Sequence, residues 1–276
     1  MPRPQPAEEF VRVLAPAIEQ AAAIATALEG RVPNVPKQDE ATPVKAALTL
    51  ADTAAQEALI VPLLAHFRSA RLEAEEDTRS IELFSGSDAS QRIVIDPIDG
   101  TLNFYLGARG PYAVMAGLAR NGRFEAALVA LPRERWRFEA VRGRGARRAR
   151  NGAPPEPARP SAEGRRVWLS DAVPEAVAER LRADGFEVGL ACGGAVAVAP
   201  LVPGVCGGLR VARPQAGSIS ARGRIGLLVA REAGAVVETG DGEPFPDALD
   251  TPAASLIVAA DAAIAARLRA ALAAGT

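Results

Sequence analysis

Cysteine, lysine, histidine and aromatic residues are all scarce in this chain of 276 residues. The two cysteines, Cys192 and Cys206, form no zinc-ligand pattern and no disulfide framework, and they fit a reducing cytosolic compartment. The single histidine, His66, lies beside Leu63, Leu64 and Phe67 on an expected helix and reads as a packing or surface residue. Lysine occurs only at Lys37 and Lys45, so nearly all cations are arginine; with the heavy use of alanine this is compositional bias. Aromatics are 4% of the chain, and the arginine-dense stretch 133–150 offers only Trp136 and Phe138 for stacking. That stretch therefore reads as a solvated hairpin at a subunit contact and not as an RNA interface. A formal net charge of −1 predicts no bulk attraction to nucleic acid or to an anionic membrane. No run of 18 apolar residues occurs, and acids precede the first apolar stretch, so neither a membrane span nor a signal peptide is expected. The expectation is a soluble, cytoplasmic protein.

Helical and strand-like periods alternate along the rest of the chain. A helix is predicted from Glu8 to Leu28, stopped by Gly30, and a second from about Ala51–Asp52 toward Phe67. A polar loop, 77–90, leads into a short strand, RIVID. Strands at 112–119, 124–131 and 136–141 have short connections and read as an antiparallel series. Residues 142–166, rich in Arg, Gly and Pro, mark a seam, dividing one compact unit into halves 1–155 and 156–276. The second half alternates strand and helix up to a closing helix at 261–273. The pattern places the chain in the α/β (α+β) class, with mixed sheets layered between helices.

Residues 93–104, IVIDPIDGTLNF, carry the chemistry. The strand delivers Asp96, Pro97 stiffens the turn, and Asp99 follows three residues on. Clustered carboxylates repel unless a cation or a proton lies between them. Gly100 and Thr101 would open a helix whose free N–H groups attract an anion such as phosphate. Hard oxygen ligands beside an anion cradle suit Mg²⁺ and phosphoryl chemistry. An Asx-turn with Asp99 as a helix cap explains the same short string. An EF-hand does not, because the twelfth position counted from Asp96 is Gly107 in place of a bidentate Glu.

The string DPIDGTLNF resembles the central motif of the inositol monophosphatase family of Mg²⁺-dependent, lithium-sensitive phosphatases. LTLADTAAQEALI (48–60), AEE (74–76), RGRGARRARNG (142–152), CGGAVAVAPLVPG (192–204) and REAGAVV (231–237) are similar to further family segments in order and spacing. The resemblance implies a layered α-β-α-β-α sandwich, a homodimer, a small phosphorylated substrate and Mg²⁺. It implies that Glu75, Asp96 and the Ile98 carbonyl hold one metal, and that Asp96 and Asp99 reach a second. Asp52 and Glu75 would help hold a third and the attacking water, which the Thr101 hydroxyl orients, and the N–H groups of Gly100 and Thr101 would hold phosphate. Glu76, next to Glu75, cannot face the same point and is expected in an outer shell or in solvent. Asp52 alternatively serves as the N-cap of the helix it opens. Gly193, Ala195, Gln215 and Arg222 fall at expected substrate-binding positions.

One position departs from the family pattern. Where the family carries a Trp-Asp pair whose aspartate binds the second metal, this chain has Ala221 and Arg222, and no Asp or Glu lies between Glu187 and Glu232. That interval holds Arg210, Arg213, Arg222, Arg224 and Arg231. Three readings of Arg222 stand at this point: a cation replacing the metal in the transition state, a reader of a second substrate phosphate, or a mark of decayed catalysis. The first function to test is Mg²⁺-dependent hydrolysis of a small sugar, polyol (inositol-like) or nucleotide phosphate by metal-activated water. The alternative is a catalytically impaired protein that binds phosphorylated ligands or a partner on the same scaffold.

Overall fold

The computed structural model of the protein describes residues 6–38, 40, 43 and 47–275. Residues 1–5 and Lys45 lie outside the described residues. Helix α1 (Pro6–Leu28) starts two residues before the sequence signal, with proline at its first position, where no N–H is needed. Helix α2 (Leu50–Phe67) is capped by Thr49 and packs against α1. By length and composition α1 could cross a membrane. Its apolar side, Phe10, Val13, Leu14, Ala17, Ile18, Ala21 and Ala25, is instead buried within this fold.

Seven strands follow as one sheet in sequence order: β1 (Ala70–Glu73), β2 (Asp88–Asp99), β3 (Ala113–Arg120), β4 (Arg123–Leu131), β5 (Trp136–Val141), β6 (Ala146–Arg150) and β7 (Glu156–Pro157). Only β1 and β2 run parallel; the other neighbours are antiparallel. Strand β2 is longer than RIVID, because residues of the polar loop extend it at its solvent end. Its centre is buried on both faces. Ile93 and Ile95 join α1 and α2 in one core cluster while Val94 joins another, the period of a strand expressed as two cores. The seam at 142–166 contains β6 and β7, which charged residues conceal in the sequence: Ala146 and Ala149 are buried among exposed or half-exposed arginines.

Strand β8 (Arg166–Leu169), helix α3 (Glu175–Ala183), strand β9 (Glu187–Leu190), helix α4 (Gly193–Ala197) and strand β10 (Val205–Val211) come next. Helix α5 (Ile225–Glu232), strands β11 (Val236–Glu238) and β12 (Ser255–Ala259) and helix α6 (Ala262–Gly275) complete the chain. The second sheet has the order β11-β12-β10-β8-β9. Helices α1 and α2 cover the outer face of the first sheet, α4 and α5 pack on that sheet and on elements of the second, and α3 and α6 cover the outside. The result is the α-β-α-β-α sandwich. Burying each of the large aliphatic side chains in these cores contributes roughly 1.5–3 kcal/mol.

Candidate active site

Two strand ends and a register shift assemble the acidic cluster. Strand β1 runs parallel to β2 with Glu73 opposite Val94, so the chain two residues further on carries Glu75 to Asp96. On the other side of β2, Asp96 pairs with Met115 but Asp99 pairs with Ala113, so three residues span what two would. Residues three apart on a regular strand face opposite ways. The extra residue of this bulge turns Asp99 back toward Asp96, re-aiming a side chain as bulges do.

Gly100 then takes φ +89°, and a Cβ there would lie 2.7 Å from the Phe104 ring and 2.9 Å from Cys192 Cβ. Only glycine meets both demands. A single π-helical turn, Thr101–Leu106, follows in place of the regular helix expected from the sequence, and the Gly100 carbonyl accepts from the amides of Phe104 and Tyr105. The amides at the start of this turn precede its first internal acceptor.

Asp52 is 1% exposed at the third position of α2. Its Oδ2 accepts from the Thr49 amide (2.7 Å) and hydroxyl (2.6 Å), and its Oδ1 lies 2.8 Å from the Thr101 hydroxyl. That hydroxyl is also 2.9 Å from the Ile98 carbonyl. Asp52 is therefore not the N-cap of α2, which is Thr49, but the third-position partner in a capping box, and its other oxygen reaches Thr101. Asp99 accepts at Oδ2 from the Gly194 amide (2.5 Å), which joins helix α4 to the cluster.

Asp96 is 5% exposed, and its Oδ1 is buried without a hydrogen-bond partner. Burial, followed by the charges of Glu75 and Asp99, raises its pKa well above the usual carboxylate range. Burial likewise raises Asp52, against the opposing hydrogen bonds from Thr49 and Thr101. Both shifts mark carboxylates that burial and like charge disfavour in their ionised form unless a proton or a cation joins them. One cation is supplied by the chain: Arg222 lies with Nη2 3.9 Å from Glu75 Oε1 and Nε 3.9 Å from Asp96 Oδ2. These separations are too long for hydrogen bonds, so Arg222 acts on the carboxylates by charge. Burial opposes its protonation, but Glu75, Asp96, Glu73 and Asp99 together raise its pKa.

The donor set decides which metal positions fit. Among the described residues, no three Asp, Glu, His or Cys side chains form a preformed cage. Mg²⁺ does not need one; it binds through one or two carboxylates and completes its shell with water and substrate phosphate. The unpartnered Asp96 Oδ1, the facing Glu75 and the second lone pair of the Ile98 carbonyl are hard donors suited to one such ion. The second position does not fit. Its missing carboxylate is replaced by Arg222, a guanidinium facing the same oxygens.

The remaining expected residues fall as follows. Gly193 flanks the cluster through its neighbour Gly194. Ala195 is buried inside α4, its amide donating to Cys192 Sγ at 3.4 Å. Gln215 is exposed in the loop between β10 and α5. Glu76 is 3% exposed and paired with Lys37 (Nζ–Oε2 2.8 Å), while its backbone is held at both ends by Gln56. Burial, only partly offset by Lys37, pushes its pKa from 4.5 up to about 7.

Four contributors had no signal of role in the sequence: Lys37, Cys192, Asp171 and Arg210. Cys192 is buried against Gly100, and burial and Asp99 raise its thiol pKa, which disqualifies it as a nucleophile. Asp171 accepts from Asn103 of the π-turn and from Arg213 (2.8 Å), tying the 212–221 loop to the site. His66 pairs with Glu9 (2.9 Å) between α1 and α2. In the arginine-rich hairpin, Arg148 and Arg150 lie over Trp136 at 5.1 and 5.3 Å, and Arg137 pairs with Glu19 and Glu139.

Comparison with known proteins accords with this geometry. The solved inositol monophosphatase of Thermotoga maritima superposes with a TM-score of 0.72 at 19% identity, covering 95% of this chain and 99% of that one. The extragenic suppressor protein SuhB of Bartonella henselae gives 0.72 at 21%, covering 97% and 100%. An inositol monophosphatase/NADP phosphatase solved with Mg²⁺ and phosphate gives 0.67 at 18%, covering 96% and 95%. A glucose-1-phosphate thymidylyltransferase of Streptomyces griseus is 34% identical over 131 residues, covering 48% of this chain, which spans about half (47%) of that protein's length. The model of the inositol monophosphatase family matches residues 10–184. This chain belongs to the inositol monophosphatase family.

Proposed function

We propose that the protein is a Mg²⁺-dependent phosphomonoesterase that hydrolyses a small sugar, polyol or nucleotide phosphate without forming a covalent phosphoenzyme. The observation that carries this reading is the meeting of Glu75, Asp96 and Asp99, with Asp52 joined to them through Thr101. Mg²⁺ held by Glu75, Asp96 and the Ile98 carbonyl would neutralise phosphate charge and make a water nucleophilic at neutral pH. The side chains of this chain do the positioning. Thr101 gives its one hydroxyl proton to Asp52 or to the Ile98 carbonyl, which leaves its lone pairs to accept from the attacking water. Asp52, fixed by Thr49, holds that hydroxyl in place. The amides of Gly100 and Thr101 hold the phosphate. Arg222, 3.9 Å from Asp96 Oδ2, would bind phosphate oxygens and offset charge that develops on them.

The test is phosphate release from a panel of phosphomonoesters with and without Mg²⁺. Glucose 1-phosphate, the sugar phosphate carried in the Streptomyces griseus relative's name, belongs in that panel. The reading expects release that requires Mg²⁺; turnover in EDTA contradicts it. A second reading, a non-catalytic binder of phosphorylated ligands, is favoured by the position of Arg222 across Glu75 and Asp96. It expects tight ligand binding without Mg²⁺ and no hydrolysis across the panel. Two free, buried cysteines support a cytoplasmic location, and a homodimer rests on the family alone.

A further inference from the structure

Arg210 is a second guanidinium in the wall of the site. It comes from β10, and its head group lies across two glycines. A Cβ on Gly193 would be 2.1 Å from its Nη1, and one on Gly223 2.5 Å from the same atom. Those glycines belong to the two segments that touch the acidic cluster. Gly194, next to the first, donates to Asp99, and Arg222, next to the second, faces Glu75 and Asp96. The bonded path through Gly193 and Gly194 places Nη1 within roughly 9 Å of the Asp99 carboxylate.

The other arginines of this region are committed elsewhere. Arg213 pairs with Asp171, Arg231 with Asp247, and Arg224 donates to the carbonyls of Ile219, Ala248 and Thr251. Arg222 faces carboxylates. Arg210 has one long hydrogen bond, from Nη1 to the Gly223 carbonyl at 3.4 Å, and no ion-pair partner among the described residues. A guanidinium carries five N–H donors, and a half-buried one without a counterion is matched to an anion from outside the chain. The two glycines are the residues that leave it room.

We propose that Arg210 binds a second anionic group on the substrate, a phosphate or carboxylate a few carbon atoms from the ester that is cleaved. The substrate class is then a doubly anionic small molecule, such as a sugar or polyol bisphosphate or a phosphorylated acid. This rests on the phosphatase reading, and the two are separable by experiment. Glucose 1,6-bisphosphate and glucose 1-phosphate are compared as ligands by calorimetry in EDTA and as substrates with Mg²⁺. The bisphosphate is expected to bind about ten- to a hundredfold tighter, the strength of one or two charge-assisted hydrogen bonds. Arg210→Gln removes that preference while leaving the affinity for the monophosphate within about twofold, and Arg210→Lys restores part of it. In turnover, Arg210→Gln raises KM for the bisphosphate and leaves kcat. A third ligand, 6-phosphogluconate, decides whether a carboxylate serves as well as a phosphate. Equal binding of the two glucose phosphates by the wild-type protein, or an equal loss of both in Arg210→Gln, overturns the proposal. If the preference stands and no phosphate is released, the phosphatase reading alone fails.

Discussion

Arg222 is the residue whose replacement says most about the electrostatics of the site. At 3.9 Å from each of two carboxylates, one guanidinium–carboxylate pair contributes about 1 kcal/mol at the dielectric constant of water and about 4 kcal/mol at an effective value of 20. The Arg222 side chain is 33% exposed, so each pair falls between these limits. A divalent cation beside Asp96 must approach the same positive charge, and the repulsion per unit charge is of similar size. Arg222→Met removes that repulsion without adding a ligand and is expected to tighten Mg²⁺ at least tenfold, about 1.4 kcal/mol. Arg222→Asp adds an anionic ligand and is expected to tighten it further and to change the stoichiometry from one ion to two. In EDTA both variants should melt lower than wild type, because Glu75 and Asp96 lose their internal counterion. Calorimetric Mg²⁺ titration and thermal melts with and without metal read these effects. Unchanged affinity and unchanged stoichiometry in both variants would refute the placement of Arg222 in the second metal position.

Three further outcomes follow from the same geometry. Thr101→Val leaves Asp52 Oδ1 buried without its donor and is expected to cost about 1–3 kcal/mol and most of the phosphate release, whereas Thr101→Ser keeps both; denaturant melts and turnover check this. Gly100→Ala, at φ +89° and against the Phe104 ring and Cys192, is expected to destabilise the fold by more than 1 kcal/mol; a melt equal to wild type contradicts the tight turn. Glu76 binds its proton more tightly folded than unfolded, so stability in EDTA falls as pH rises from about 4.5 through about 7, by on the order of 3 kcal/mol. Lys37→Met removes the opposing charge and should cost little near pH 5, where Glu76 is neutral, and more at pH 8. A pH-independent penalty contradicts the pairing.

Much of the fold is legible because punctuation and period agree: Gly30 ends α1, and the apolar centre of β2 reads as a strand buried on both faces. The edge of the first sheet is hidden, since β6 spells ARRAR, and its two buried alanines stand three apart and follow no strand alternation. Of the site, Asp96 and Asp99 announce themselves at a strand exit. The bulge that turns them to one side is invisible, because it depends on how β2 pairs with β3. Glu75 has no local signal distinguishing it from Glu76. The parallel register of β1 on β2 makes the choice, sending one to Asp96 and the other to Lys37. The replacement at Arg222 is plain in the sequence, but its direction is a tertiary fact, set by the turn that starts α5. Arg210 is one cation among five there, and only its position over two glycines separates it from the rest.

The most direct test of the account is the location of the bound cation. Crystals soaked with Mn²⁺ in place of Mg²⁺ should show one anomalous peak in the acidic cluster, bonded to Glu75 and Asp96, in the wild-type protein and none in Asp96→Asn. No peak between those carboxylates, or one that survives Asp96→Asn unchanged, contradicts the central claim.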